Sequence, residues 1–384
     1  MERIVYFDNA ATTPIRKEVI ESMHEVLLNN FGNPSSTHSF GRSAKTQIET
    51  ARKSIAKHFN AHPQEIIFTS GGTESDNMLV RCSVQDLGVE TVITSKIEHH
   101  AILHAVEFLA ANKLAQVLYV KTDEEGVVDY NDLAHLLAAD NSKKLVSLMH
   151  INNEIGSILD LERVSNLCKT HNALFHSDAV QGVGHYAIDL ERIHIDFLSA
   201  AAHKFHGPKG VGFSFVRKNS NLNPFILGGS QERGLRAGTE SVHNIVGMAK
   251  ALEIAYLNLD IEQSYLKKIK QYAVNELTAA FPDIHFNGCC SDLDLSTCTI
   301  VNVALPIPED KASLLNFHLD LKGIACSKGS ACQSGSVKGS HVLKEVVPEE
   351  FKSRPSIRFS FSVFNTTDEI DYLVQTLSSF VDRK

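Results

Sequence analysis

Between residues 65 and 216 the chain alternates short apolar runs with longer amphipathic ones, and that rhythm constrains the fold more than any other feature. Glu65–Ser70 (EIIFTS), Thr91–Ser95 (TVITS), Gln116–Lys121, Leu145–Ile151 and Ala173–Ser177 have the length and apolar character of strands. Thr73 to about Leu87, His100–Ala111, Tyr130–Ala139 and Asp160–His171 have helical spacing instead, with Thr73 and Asp76 at capping-box spacing. Repeated strand–helix units predict an α/β domain with a mostly parallel sheet and right-handed crossovers. Ligands of such sheets gather beyond the carboxyl ends of the strands. Gly72-Thr73, His99, Asn153, Asp178 and Lys204 all fall at such ends.

The segment Ile195–Val216 (IDFLSAAAHKFHGPKGVGFSFV) sharpens this. An apolar strand runs into His203-Lys204, and a Gly-Pro-Lys-Gly turn leads to a second strand carrying Val211, Phe213 and Phe215. A lysine is rarely buried without a partner. Taken alone, Lys204 fits a side chain that snorkels from a strand end. It also fits a desolvated amine, neutral and nucleophilic, as a Schiff-base lysine must be.

Around this region the chain is long enough, at 384 residues, for a second core. A helix is expected from Pro14 to about Asn30 and another after the loop Phe31–His38, ending near Phe59. A long helical region spans about 241–280. Beyond it come strand-like Thr297–Val303, helical Lys311–Leu321, a Gly/Ser-rich loop, a strand Ser356–Ser360 and a final helix Asp368–Val381. A net charge of −8 argues against nucleic acid or an anionic membrane as the main partner. Every apolar run falls short of the ~20 residues that span a bilayer, and the N-terminus lacks a signal layout, so the expected location is cytoplasmic. Seven cysteines, an odd number, make a disulfide framework a poor fit. Cys82 and Cys168 sit in helical patterns as core residues, whereas Cys326 and Cys332 stand in ACSKGSACQSGS.

Several motifs are weak singly. Gly71-Gly72 before a helix suits a phosphate at the helix N-terminus, though it equally suits an ordinary turn. Asp178 either caps a turn or holds a ring nitrogen protonated, and His99 either starts a helix or stacks on a flat ligand. Jointly they supply an amine, an anion site, a carboxylate and an aromatic ring, the set that pyridoxal 5′-phosphate (PLP) requires.

The chain closely resembles the cysteine desulfurases, PLP enzymes of iron–sulfur-cluster assembly and nitrogen fixation. The shared motifs run the whole length in family order: YFDNAATTP, GNPSSTH, FTSGGTESDN, SKIEHHA, MHINNEIG, HSDAVQ, HKFHGPKG, GGSQERGLRAGTES, SKGSACQSG and IRFS. The resemblance implies PLP-dependent transferase fold type I, with a mostly parallel seven-stranded sheet in a large domain and a smaller α+β domain. It divides the chain into an N-terminal arm at 1–15 packing with the small domain, a large PLP-binding domain at 16–255 and a small domain at 256–384. The catalytic-cysteine loop would occupy about 326–340.

Carried over by position, Lys204 forms the Schiff base, while Gly72, Thr73 and His203 hold the phosphate. His99 stacks on the ring and handles protons, Asp178 pairs with the pyridine nitrogen, and Asn153 and Gln181 lie at the ring oxygen and its surroundings. Thr239 reaches the phosphate site of the second subunit of a homodimer. Arg358 clamps the substrate carboxylate, a role suited to its planar fork, with Asn9 and Asn153 nearby. Cys332 is the nucleophile that takes sulfur from L-cysteine as a persulfide, leaves alanine, and passes the sulfur to an iron–sulfur scaffold or a tRNA-thiolation protein. No metal is expected.

Three positions depart from the family pattern. Ala201 stands where a phosphate-binding serine is common, and Ser199 is the nearest hydroxyl on that strand face. Phe361-Ser362-Val363 replaces a common Leu-Gly-Arg, and Cys326 replaces a serine. The alternatives are a selenocysteine lyase or another class V aminotransferase-like enzyme, and a non-enzymatic metal- or sulfur-binding scaffold. Cys332 argues against an aminotransferase, which needs no thiol. The Cys326–Cys332 spacing argues against a zinc site.

Overall fold

Successive side chains of a strand point to opposite faces of its sheet, and the first long strands use both faces for burial. In Ile66–Thr69, Ile66 and Phe68 enter one apolar cluster while Ile67 enters another. The computed structural model describes residues 3–307, 309–328 and 339–381, so Cys332 lies outside the described residues. The strands are β1 (Val5–Tyr6), β2 (Ile66–Thr69), β3 (Thr91–Ser95), β4 (Gln116–Val120), β5 (Lys144–Ser147) and β6 (Leu174–Asp178). They continue with β7 (Phe197–Ala201), β8 (Gly212–Val216), β9 (His285–Phe286), β10 (Ile300–Ala304), β11 (Ile324–Ala325) and β12 (Ser356–Ser360).

Seven strands form one sheet in the order β2-β8-β7-β6-β5-β3-β4. Only β8 runs against its neighbours β2 and β7; the other pairings are parallel. The helices Ser39–His58, Tyr130–Ala138, Leu161–Thr170 and Val242–Leu257 cover one face. Gly72–Leu87 and His100–Ala111 cover the other. With both faces dry, β2, β3, β5, β7 and β8 are buried at every position, which accounts for their near-continuous apolar runs.

A second core forms on an antiparallel sheet in the order β12-β10-β9. Against it pack the helices Leu259–Ala280, Leu315–Leu321 and Thr367–Val381. The chain start joins this core: β1 pairs in parallel with β11, and the Phe7 ring meets Phe361 edge-on at 5.4 Å. Among the described residues no helix is long and apolar enough to cross a membrane.

The structure departs locally from the sequence expectations. The 241–280 helical region divides at Asn258 into two helices. The strand expected over Leu145–Ile151 ends at Ser147, and the chain then turns where Asn152 Oδ1 accepts the N–H groups of Glu154 and Ile155. The capping box of Thr73 and Asp76 does not form. The helix starts at Gly72 behind Gly71, whose φ of +153° suits a glycine, and Glu74 takes the Ser70 N–H. Asp76 is thereby freed from capping and turned into the protein.

One buried ion pair fastens the segment after β8 to the sheet. Arg52 grips Glu232 with two bonds of 2.7 and 2.8 Å, and Glu232 also accepts the Phe68 N–H of β2 at 2.8 Å. Both side chains are at most 3% exposed. Glu232 and Arg233 hold left-handed φ angles of 45° and 57°, a strain that these bonds offset. Removing one partner of such a pair leaves a buried, uncompensated charge. We therefore expect Arg52→Met to destabilise the fold by about 3–5 kcal/mol, and Arg52→Met with Glu232→Leu to recover most of that loss. Urea unfolding of the native protein and the two variants checks it; equal losses in the single and double variants would contradict the reading.

Candidate active site

Five strand ends meet at a cleft of about 230 Å³ lined by Gly72, Thr73, Asp76, His99, Asn153, Asp178, Gln181, Ala201, His203, Lys204 and Arg358. Lys204 reaches it because β7 stops at Ala201 and a single tight turn, Ala202–Lys204, redirects the chain. Its Nζ donates to the carbonyls of Ala10 and Ala11 at 2.6 and 2.9 Å. The lysine of the opening motif is thus held inside the site.

Asp178 is the last residue of β6 and accepts the Val180 N–H at 2.9 Å. Burial pushes its carboxyl up to about 6, against the opposing pull of that N–H and of the Lys204 charge. His99 caps the helix His100–Ala111, its Nδ1 accepting from Ala101 N at 3.2 Å. Burial first, then the Lys204 charge and the neighbouring histidines, push His99 down to about 4. A neutral ring with an accepting Nδ1 carries its hydrogen on Nε2.

Gly72 and Thr73 open a helix of 16 residues, whose N-terminus favours an anion. A Cβ at position 72 would meet Val180 Cγ2 at 2.7 Å, so a side chain there would close the cleft against the strand-end loop. His203 stands on the same side, pushed down to about 4 by burial and then by Lys204, with Nδ1 3.3 Å from Thr12 Oγ1. Gln181 Nε2 donates to Ala10 O at 2.9 Å.

Arg358 projects from β12 in the other core and is 1% exposed. Its Nη1 donates to Asn153 O at 2.6 Å and its Nη2 to Asp8 Oδ1 at 3.0 Å, so the fork is oriented from two sides. Ser327 Oγ shares Asp8 Oδ1 at 2.7 Å. Beyond the Cys332 segment, Ser340 Oγ bonds Glu154 Oε2 at 2.5 Å and His341 Nε2 lies 2.8 Å from Glu98 O. Ser327 and Ser340, which flank residues 329–338, are therefore both fixed beside the cleft.

Two expected site residues lie elsewhere. Asn9 is buried, its amide bonding Ser360 O at 2.9 Å and Asn365 Oδ1 at 3.2 Å, and it does not line the cleft. Thr239 lines a separate cavity of about 150 Å³ with Arg236 and Glu240. Ser199 does not stand in for the serine missing at Ala201: it is fully buried, 3.2 Å from His176 Nε2, while Ala201 faces the cleft. Sequence reasoning missed Asp8, which orients Arg358; Asp76, buried in the cleft lining; and Glu98, a buried carboxyl close enough to interact with Asp178. The signal for Asp76 was its place one turn after Gly72-Thr73, on the face that meets the strand ends.

The donor set fits PLP: an amine for its carbonyl, a carboxyl for its ring nitrogen, an imidazole beside the ring, and a helix start for its phosphate. The fold and cleft define a PLP-dependent transferase of fold type I. The family model for aminotransferase class-V matches residues 5–373. Cysteine desulfurase IscS of Dictyoglomus turgidum is 44% identical over 387 residues, covering 100% of this chain and 96% of that protein. A solved NifS-like protein superposes with a TM-score of 0.89 at 36% identity, covering 98% of this chain and 99% of that one. The structure of SspA in complex with cysteine gives 0.81 at 31% identity, covering 94% and 100%. The chain belongs to the class-V aminotransferase family, among its cysteine desulfurases.

Of the seven cysteines, six are described; five of these are buried and Cys326 is partly exposed. Burial pushes Cys82, Cys289 and Cys326 up to about 12 and raises Cys168, Cys290 and Cys298 as well. A thiol near 12 stays protonated through pH 9, whereas an unperturbed one near 8.5 is substantially thiolate there. Iodoacetamide is therefore expected to label Cys332 first, with the other six slow from pH 7 to 9. Peptide mass spectrometry of the folded protein reads this out, and labelling of Cys326 as fast as Cys332 would refute it.

Proposed function

We propose that this protein is a PLP-dependent cysteine desulfurase that converts L-cysteine to L-alanine and retains the sulfur as a persulfide on Cys332. The observation that carries the reading is convergence: Lys204, Asp178 and Arg358 share one cleft, and both flanks of the Cys332 segment are tied to its rim. A family match over nearly the whole chain supports the activity, and SspA with bound cysteine supports the substrate class.

When bound, PLP supplies an electron sink for a carbanion at the substrate α-carbon. Lys204, Asp178, His99, Gly72, Thr73, His203, Asn153 and Gln181 would hold it. Arg358 binds the substrate carboxylate through its fork, whose orientation Asn153 O and Asp8 fix. Lys204, once its amine is free, takes the α-proton. His99, neutral at pH 7, accepts a proton from a thiol. The Cys332 thiolate then attacks the substrate sulfur. An S–S bond forms, the substrate Cβ–S bond breaks, and its electron pair stays with the carbon fragment, which takes up protons to become alanine.

In this reading residues 256–384 and the 1–15 arm form the unit that carries Cys332, beside a large domain at 16–255. Thr239 belongs to a site completed across a homodimer. The enzyme works in the cytoplasm and hands sulfur to an iron–sulfur scaffold or a tRNA-thiolation protein.

Two variants separate the cofactor from the sulfur chemistry. Cys332→Ala is expected to keep the yellow cofactor and release no sulfide from cysteine; normal sulfide release would remove Cys332 from its role. Arg358→Lys keeps the charge but loses the fork, and a tenfold or greater rise in KM for cysteine is expected, since a charged hydrogen bond contributes about 1.5–3 kcal/mol. An unchanged KM would show that the carboxylate is bound elsewhere.

A further inference from the structure

Asp76 lies one turn into the helix Gly72–Leu87, lines the cleft and is 1% exposed. A carboxyl oxygen of Asp76, one of Asp178 and a ring nitrogen of His99 all lie within 4.8 Å of one another. Two carboxyls that share a dry space cannot both ionise easily. Their partners decide which one does. Asp178 receives the Val180 N–H and faces the Lys204 charge. Asp76 has no such support: its Oδ1 lacks a hydrogen-bond partner, and its one hydrogen-bonding neighbour is the Ser199 hydroxyl.

The remaining groups around Asp76 do not supply a cation. His176 Nε2 stands 3.6 Å away, and burial pushes that ring down to about 3. Its nitrogens are occupied by hydroxyls, Ser147 Oγ at 2.9 Å and Ser199 Oγ at 3.2 Å. Glu98, from the turn after β3, is a third buried carboxyl, held by Ser95 Oγ and Met149 N and pushed up to about 8 by burial. His99 is itself neutral at pH 7. Asp76 therefore has two further acids and two neutral imidazoles as neighbours, with Lys204 facing Asp178.

We propose that Asp76 is a positioning residue that carries the proton of the Asp76–Asp178 pair, leaving Asp178 as the sole anion presented to the cofactor's ring nitrogen. The role at the ring rests on the assignment of Asp178 made above; the location of the proton does not. A neutral Asp76 donates its O–H to Ser199 Oγ, which commits that hydroxyl to the floor and leaves Ala201 without a substitute at the phosphate. An ionised Asp76 would instead compete with Asp178 for the same proton and shift the cofactor's ring chemistry with pH.

Infrared difference spectroscopy of the apoprotein at pH 7 tests the proton's location without any cofactor. Replacing Asp76→Asn, which is isosteric and neutral, is expected to remove a protonated carboxylic C=O band, and Asp178→Asn to remove a carboxylate band. The reverse pattern, or loss of a carboxylate band on Asp76→Asn, overturns the proposal. Should Asp76→Asn not fold, carboxyl-labelled aspartate NMR of the native apoprotein, assigned with Asp178→Asn, reads the same two states.

The second arm is PLP affinity by fluorescence titration. Asp76→Asn is expected to bind within about threefold of the native protein, and Asp76→Ala about tenfold more weakly because it removes the acid that the buried Ser199 hydroxyl bonds and leaves that hydroxyl only His176. Equal weakening by Asn and Ala would mean that position 76 must be ionised, and would sink the proposal. If Asp178→Asn binds PLP as tightly as the native protein, the assignment of Asp178 fails while the infrared result still decides the proton.

Discussion

Desolvated charge is the constraint on which the rest of this molecule depends. A charged group taken out of water needs a partner or must give up its charge, and most working side chains of the cleft are in that position. Arg358 is answered by Asp8 and by a backbone carbonyl, Lys204 by two carbonyls of the chain start, Asp178 by a backbone N–H. The histidines take the other route: His99, His150, His176, His203 and His206 are all pushed down by burial and are neutral at pH 7.

The partners come largely from one short stretch, which explains why the segment after β1 is so polar. Residues 9–13 tie the two cores together. Ala10 N bonds Ser360 Oγ, Asn9 bonds Ser360 O, and Thr13 bonds His203 O through both its N–H and its hydroxyl. The same stretch supplies the carbonyls for Lys204 and Gln181. Because Arg358 sits two residues before Ser360 on β12, the arm fixes the separation between the Lys204 amine and the Arg358 guanidinium. A site split between two cores is thereby given one geometry. That rigidity matters, since a misplacement of about 1 Å can cost a hundredfold in rate.

Legibility in the sequence followed the range of the interaction. The helix His100–Ala111 and the strand Ser356–Ser360 agree with their expected bounds, because periodicity and β-branched content are local. The ends of the parallel strands, and hence Lys204, Asp178, His99 and Gly72, follow from the same local pattern. Thr73 and Asp76 show its limit. Their spacing is that of a cap, yet Gly71 performs the turn and Glu74 closes it, which only the packing against β7 and β8 reveals. Asp8 and Arg358 are 350 residues apart, and Ser340 and Glu154 are 186 apart. No spacing rule reaches across such distances, so the orientation of the clamp and the anchoring of the Cys332 segment were invisible until the chain was folded. The role of Ser199 stayed open for the same reason: strand alternation placed its side chain, but its partners come from β6 and the helix beneath.

Neutral imidazoles around an anionic cargo look at first like a poor electrostatic choice. A cofactor phosphate and a substrate carboxylate both bring negative charge to a chain of net charge −8. Protonated histidines would bind them more tightly, but they would have no capacity to accept a proton and would repel the Lys204 ammonium. The cleft instead takes its positive potential from groups that cannot exchange protons near neutral pH, the guanidinium of Arg358 and the N-terminus of the helix Gly72–Leu87. Anion binding and proton transfer are thus assigned to different side chains. On the reading proposed above, the acids complete the division: Asp178 keeps its charge toward a ring nitrogen, while burial raises Asp76 and Glu98 as it lowers the histidines. Burial, which makes each of these groups costly, is also what keeps their roles from overlapping.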